Sequence, residues 1–173
     1  MKSCWIFAAA ILVLAACGKR EEHGSAGASR DNPSCALIGD ATALFGAGAQ
    51  HFGYPGLDAM AGTCEFISAD GKRSADIITF TPESLHGVTP EAQMQTVTTA
   101  WDSQTETPLA AIDGLGDAAQ VATDLPGYQT QIAFRKGGTL VLISARSGDD
   151  GVSGEQLARS MAAAAATTLA ATH

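Results

Sequence analysis

The stretch Tyr128-Gln129-Thr130-Gln131-Ile132-Ala133-Phe134-Arg135-Lys136-Gly137-Gly138-Thr139-Leu140-Val141-Leu142-Ile143-Ser144-Ala145-Arg146 decides the fold. From Tyr128 to Arg135 it alternates, setting Tyr128, Ile132 and Phe134 inward, which is the period of a strand and not of a helix. Lys136-Gly137-Gly138 makes a turn. The run after it is apolar on both sides, with Val141 and Ile143 facing one way and Leu140 and Leu142 the other. The stretch therefore reads as the central hairpin of a sheet, Tyr128–Arg135 against Thr139–Arg146.

Downstream, Ser153 with Gln156 three residues on matches a capping box, and the alanine-rich segment to about Ala171 has high helix propensity. Its Leu157, Met161, Ala165 and Leu169 form an i, i+4 stripe, and the small alanines would let this helix lie close on the sheet. Upstream, the chain is strand-like from Asp117. Thr89-Pro90-Glu91 opens a helix, with Thr89 as N-cap and proline at the first helical position. Met94, Val97 and Trp101 share one face of it and suit packing on a sheet better than a ligand pocket. Thr63–Ser68 and Arg73–Phe80 read as strands joined by an Asp70-Gly71 turn, and Cys64 shares a face with Phe66. The Gly- and Pro-containing stretch before Gly62 reads as a loop. Leu37, Leu44 and Phe45 suggest a short helix with Asp40 as N-cap and Gly46 as its stop. Helix, two strands, helix, three strands, helix predicts an α+β fold: one antiparallel sheet of about five strands with helices packed on it, a single domain over residues 35–173.

The N-terminus has a different character. Met1-Lys2-Ser3-Cys4 precedes an apolar run from Trp5 to Cys17, 13 residues, stopped by Gly18-Lys19-Arg20-Glu21-Glu22. A bilayer-spanning helix needs roughly 20 such residues, so the run fits a secretory signal instead. Its end, Leu14-Ala15-Ala16-Cys17, resembles the lipobox of bacterial lipoproteins. The resemblance implies cleavage before Cys17 and a diacylglyceryl thioether on its sulfur, with residues 1–16 removed. It also implies a membrane anchor at the cell envelope, on the periplasmic or cell-surface side. Two or more acyl chains hold lastingly because each buried methylene contributes roughly 0.8 kcal/mol.

Residues 17–34 contain no large apolar side chain after Cys17 and are expected to be a tether to the lipidated end. His23 beside Glu21 and Glu22 suits a solvated charge cluster better than a metal site. With Cys4 removed and Cys17 acylated, Cys35 and Cys64 remain, an even pair in an oxidising compartment, and a structural disulfide is the expected outcome. A metal site or a reactive thiol pair would want nearby histidines or a Cys-x-x-Cys spacing.

After processing, 18 acidic side chains face 9 basic ones, about −9, which argues against nucleic acid or an anionic surface as partner of the body. Gly114-Leu115-Gly116-Asp117-Ala118-Ala119 fits a dinucleotide-binding pattern, but Pro126 and β-like residues come where a helix is needed. Asp149-Asp150-Gly151 lacks the alternating acids of a calcium loop. Gly-x-Ser-x-Gly, Ser-x-x-Lys and His-Glu-x-x-His are all absent, and His51 and His86 are isolated. No catalytic residue, cofactor or metal is expected. The mature part also loosely resembles small bacterial lipoprotein domains of unknown function, through Cys35-Ala36-Leu37, Leu44-Phe45-Gly46, Cys64-Glu65-Phe66 and Gly114–Ala119. That likeness supports the fold and implies no activity. The expected role is a non-enzymatic binding module for an envelope protein or small apolar ligand; an envelope hydrolase with an unrecognised site is the alternative.

Overall fold

A computed structural model describes residues 32–148 and 151–172. The expected signal 1–16, Cys17, most of the tether including His23, and the Asp149-Asp150 pair lie outside the described residues. The elements are α1 (Pro33–Ala36), α2 (Thr42–Phe45), β1 (Gln50–Pro55), β2 (Gly62–Ile67), β3 (Arg73–Phe80), α3 (Pro90–Asp102), β4 (Ala110–Ala111), β5 (Ala118–Thr123), β6 (Thr130–Lys136), β7 (Thr139–Ser147) and α4 (Gly154–Ala171). The fold is α+β, and the strands of the described residues form one antiparallel sheet in the order β1-β2-β3-β7-β6-β5-β4.

The hairpin β6–β7 sits inside the sheet, as its two-sided apolar pattern requires. Ile132, Phe134, Val141 and Ile143 are fully buried against Leu157, Met161, Ala162 and Ala165 of α4. The alanines of α4 let its backbone approach the sheet. Ser153 Oγ accepts the Gln156 N–H at 3.0 Å and so starts that helix. On the opposite face Leu140, Ala133 and Phe80 pack against Met94 and Trp101 of α3. Thr89 caps α3 through the Ala92 N–H at 3.2 Å, with Pro90 next to it. Cys35 and Cys64 are bridged, with Cα atoms 5.1 Å apart, which fastens α1 to the middle of β2.

Four features differ from the sequence expectation. The sheet has seven strands rather than about five. Gly53 and Pro55 disguise β1, yet Gly53 belongs in a strand because a Cβ there would meet the Asn32 Cβ at 2.8 Å and the Cys35 Sγ at 3.0 Å. β4 is only two residues long and carries no period. The folded body also begins before Cys35. Asn32 caps α1 by accepting the Ser34 and Cys35 N–H groups at 2.9 and 3.3 Å, and the buried Ser34 hydroxyl shares a 2.8 Å hydrogen bond with Thr79. The single helix expected over 36–46 is two short ones, parted at Gly39, whose φ of 62° is left-handed. There Asp40 accepts the Thr42 N–H at 2.9 Å, and Ala41 takes the N-cap position. Finally, Tyr128 is not inward beside Ile132. Its N–H bonds Leu125 O at 3.1 Å in a turn, and Thr130 takes the buried position at the start of β6.

Candidate functional site

Residues paired directly across an antiparallel ladder point to the same face of the sheet. The register thus lays Phe52, Glu65, Asp76, Ser144 and Gln131 in one row across five strands. Tyr54, Thr63, Ile78, Leu142 and Ala133 form the next row. This is the face turned away from α4. The helix α3 covers it over β5, β6 and β7, while α1 packs on the other side of β1–β3. On β3, Ile78 and Phe80 share the cluster of α3, while Phe52 and Tyr54 of β1 are exposed on this face.

Where α3 ends, it leaves a groove of about 390 Å³ against the sheet, lined by Val97, Trp101, Leu125, Tyr128 and Leu142. That volume lies in the range of small-ligand sites, roughly 300–1,000 Å³, and its walls are chiefly apolar and aromatic, as such sites are. Tyr128 is also the boundary to a polar recess formed with Glu65, Asp76, Ser144 and Arg146. The Arg146 guanidinium lies 4.7 Å from the centre of the Tyr128 ring, a cation–π contact. The Gln131 amide donates to Ser144 Oγ at 3.0 Å, fixing that edge of the recess. A ligand here would meet an apolar wall at one end and charged groups of both signs at the other.

Glu65 and Asp76 are cross-strand partners, two carboxylates placed opposite one another. Burial pushes the Asp76 pKa above its ordinary value and the Glu65 charge pushes it further, while Arg146 pulls it back. The folded protein therefore holds this proton more tightly than the unfolded chain does, and stability falls as pH rises from 3.8 through the raised value. Asp76→Asn should raise the melting temperature at pH 7 and leave it unchanged near pH 3, where the wild-type carboxyl is protonated. The gain is smaller than for a fully enclosed carboxylate, because Asp76 is only half-buried and solvent screens it. Melting curves of both proteins at the two pH values check this; equal curves at pH 7 would show that the carboxylate is unstrained.

The other sequence features fall elsewhere. Gly114 and Gly116, at φ 75° and 67°, form the turn from β4 into β5, and because β5 is a strand there is no helix N-terminus to hold a pyrophosphate. Gly116 is required by packing, since a Cβ there would run into Arg135 O. His51 is exposed with its ring 5.8 Å from that of Phe66, and His86 is exposed in the loop before α3. Among the described residues, no three His, Cys, Asp or Glu side chains gather where they could hold a metal ion. Cys64 is fully buried and Cys35 nearly so, which keeps the bridge away from any redox partner.

The site residues Glu65, Asp76, Tyr128, Leu142 and Arg146 are not singled out by the sequence. One signal for part of the set exists: a turn at Asp70-Gly71 places Glu65 opposite Asp76 once the hairpin is folded. The rest depends on β3 pairing with β7, which nothing local encodes. No family model, curated protein or solved structure matches this chain.

Proposed function

We propose that the protein is a lipid-anchored module of the cell envelope that binds a ligand or partner in the groove between the end of α3 and the sheet and carries out no reaction there. The observation that carries the address is Leu14-Ala15-Ala16-Cys17 at the end of a 13-residue apolar run. The buried disulfide suits an oxidising compartment. The apolar groove beside Tyr128 supports binding, and its size and walls suit an apolar small molecule or an anchoring side chain of an envelope protein.

Cys17→Ala should abolish incorporation of a fatty-acid probe, because only the thiol can accept the lipid. Equal labelling of wild type and variant would remove the anchor. Capture of partners from envelope extracts with the lipidated wild type, compared with Val97→Glu at the mouth of the groove, tests the binding half. Material retained by both proteins alike would mean that the groove is not the site.

A further inference from the structure

Among the described residues, the exposed large hydrophobic side chains are Phe52, Tyr54, Leu57 and Val88, at 37%, 48%, 67% and 47% exposure. They are not scattered. Phe52 and Tyr54 lie on the edge strand β1, and Leu57 lies in the turn between β1 and β2. Ala59 and Met60 of that turn pack against the cluster containing Phe80 and Leu85, and the Val88 N–H bonds Leu85 O at 3.0 Å. The β1–β2 turn and the loop before α3 are therefore neighbours at one end of the sheet.

The chain enters the fold at that same end. Asn32 Nδ2 donates to Tyr54 O at 2.6 Å, and Asn32 Oδ1 lies 3.1 Å from where a Cβ on Gly62 would be. We infer that this end of the domain, through Leu57, Tyr54, Phe52 and Val88, rests on the phospholipid bilayer that holds the anchor. The inference relies on the proposed lipidation of Cys17. From Cys17 to Asn32 the chain advances 15 residues, which even fully extended span no more than about 50 Å. Contact with the same bilayer is thus an intramolecular event at an effective concentration on the order of millimolar, so a patch of four side chains suffices. Tyrosine is suited to the interface, its ring apolar and its hydroxyl wet, while Phe52, Leu57 and Val88 supply purely apolar area to insert. The net acidic body gains nothing from anionic headgroups, which leaves apolar insertion as the source of attraction. Docked this way, the Ser68–Lys72 turn at the other end of β2 points away from the membrane, and the groove at the C-terminal end of α3 stays open to the aqueous side.

The test uses the mature lipidated chain in phosphatidylcholine vesicles that carry a photoactivatable diazirine in the acyl chain, with labelled peptides identified by mass spectrometry. Label should concentrate on peptides containing residues 52–57 and 85–88 and be sparse on the 68–72 turn. The paired exposed substitutions Tyr54→Ser and Leu57→Ser should lower that label about tenfold or more. Even labelling of both ends, or labelling at 68–72 alone, would overturn the docking. Cross-links between two copies through β1 in place of lipid would also overturn it, making a second copy the occupant. A chain that does not float with the vesicles would fail the anchor itself and this inference with it, whereas a floating chain with even label would fail the inference alone.

Discussion

Ending the chain at Ser153 should abolish cooperative unfolding. The helix α4 spans 18 residues and buries Leu157, Ala158, Met161, Ala162, Ala165 and Leu169 on the sheet. Losing the burial of Leu157, Met161 and Leu169 alone costs roughly 1.5–3 kcal/mol each. The loss also uncovers Ile132, Phe134, Val141 and Ile143, all fully buried in the whole domain. A domain is stable by only roughly 5–15 kcal/mol, so the deficit is comparable to the total. Thermal melting of the mature chain against the truncated one decides it. A truncated domain that melts sharply within a few degrees of the whole would show that α3 and the sheet fold without α4.

The second large effect is expected from the disulfide. Reducing Cys35–Cys64, which closes a span of 29 residues, should cost about 3–4 kcal/mol in the chain-entropy model and lower the melting temperature by roughly 10 °C. The effect reaches beyond loop closure because α1 has four residues and could not persist as an isolated helix. Its other ties include Asn32 to Tyr54, Ser34 to Thr79 and, at its C-cap, the Thr168 hydroxyl to Leu37 O. Calorimetry of the oxidised and reduced wild type is the cleaner comparison, since replacing the fully buried Cys64 would add a packing defect. A shift of only a degree or two would mean that α1 is held by those hydrogen bonds and the bridge is incidental.

The elements that were legible in the sequence are those whose pattern and surroundings agree. Strand β7 is apolar on both sides and is covered on both sides, by α4 and by α3. The caps Thr89 and Ser153 bond the N–H groups that their spacing indicated. Legibility failed where a residue answers to something distant. Gly53 looks like a loop residue but is small because Asn32 and Cys35 press on it from above. Tyr128 continues the alternation of β6 by one step too many, because the turn at Leu125 redirects it onto Arg146. The groove and the recess beside it join residues of α3, β2, β3, β6 and β7, and their meeting is set by the strand order. No periodicity along the chain contains that order.

The pairing of β3 with β7 has a consequence for how the chain acquires its shape. Arg73 lies opposite Ser147 and Phe80 opposite Leu140, so the two halves of the sheet are stitched by contacts 60 to 74 residues apart. Contacts of such separation must close long loops before they reward the chain, which slows folding. Until β7 has been made and delivered, β3 is a bare edge of eight residues carrying Ile77, Ile78 and Phe80, an invitation to pair with the wrong chain. A chain interrupted between residues 80 and 139 therefore displays this edge unpaired. The β2–β3 hairpin is made early and becomes safe late, and during that interval this protein most needs a chaperone.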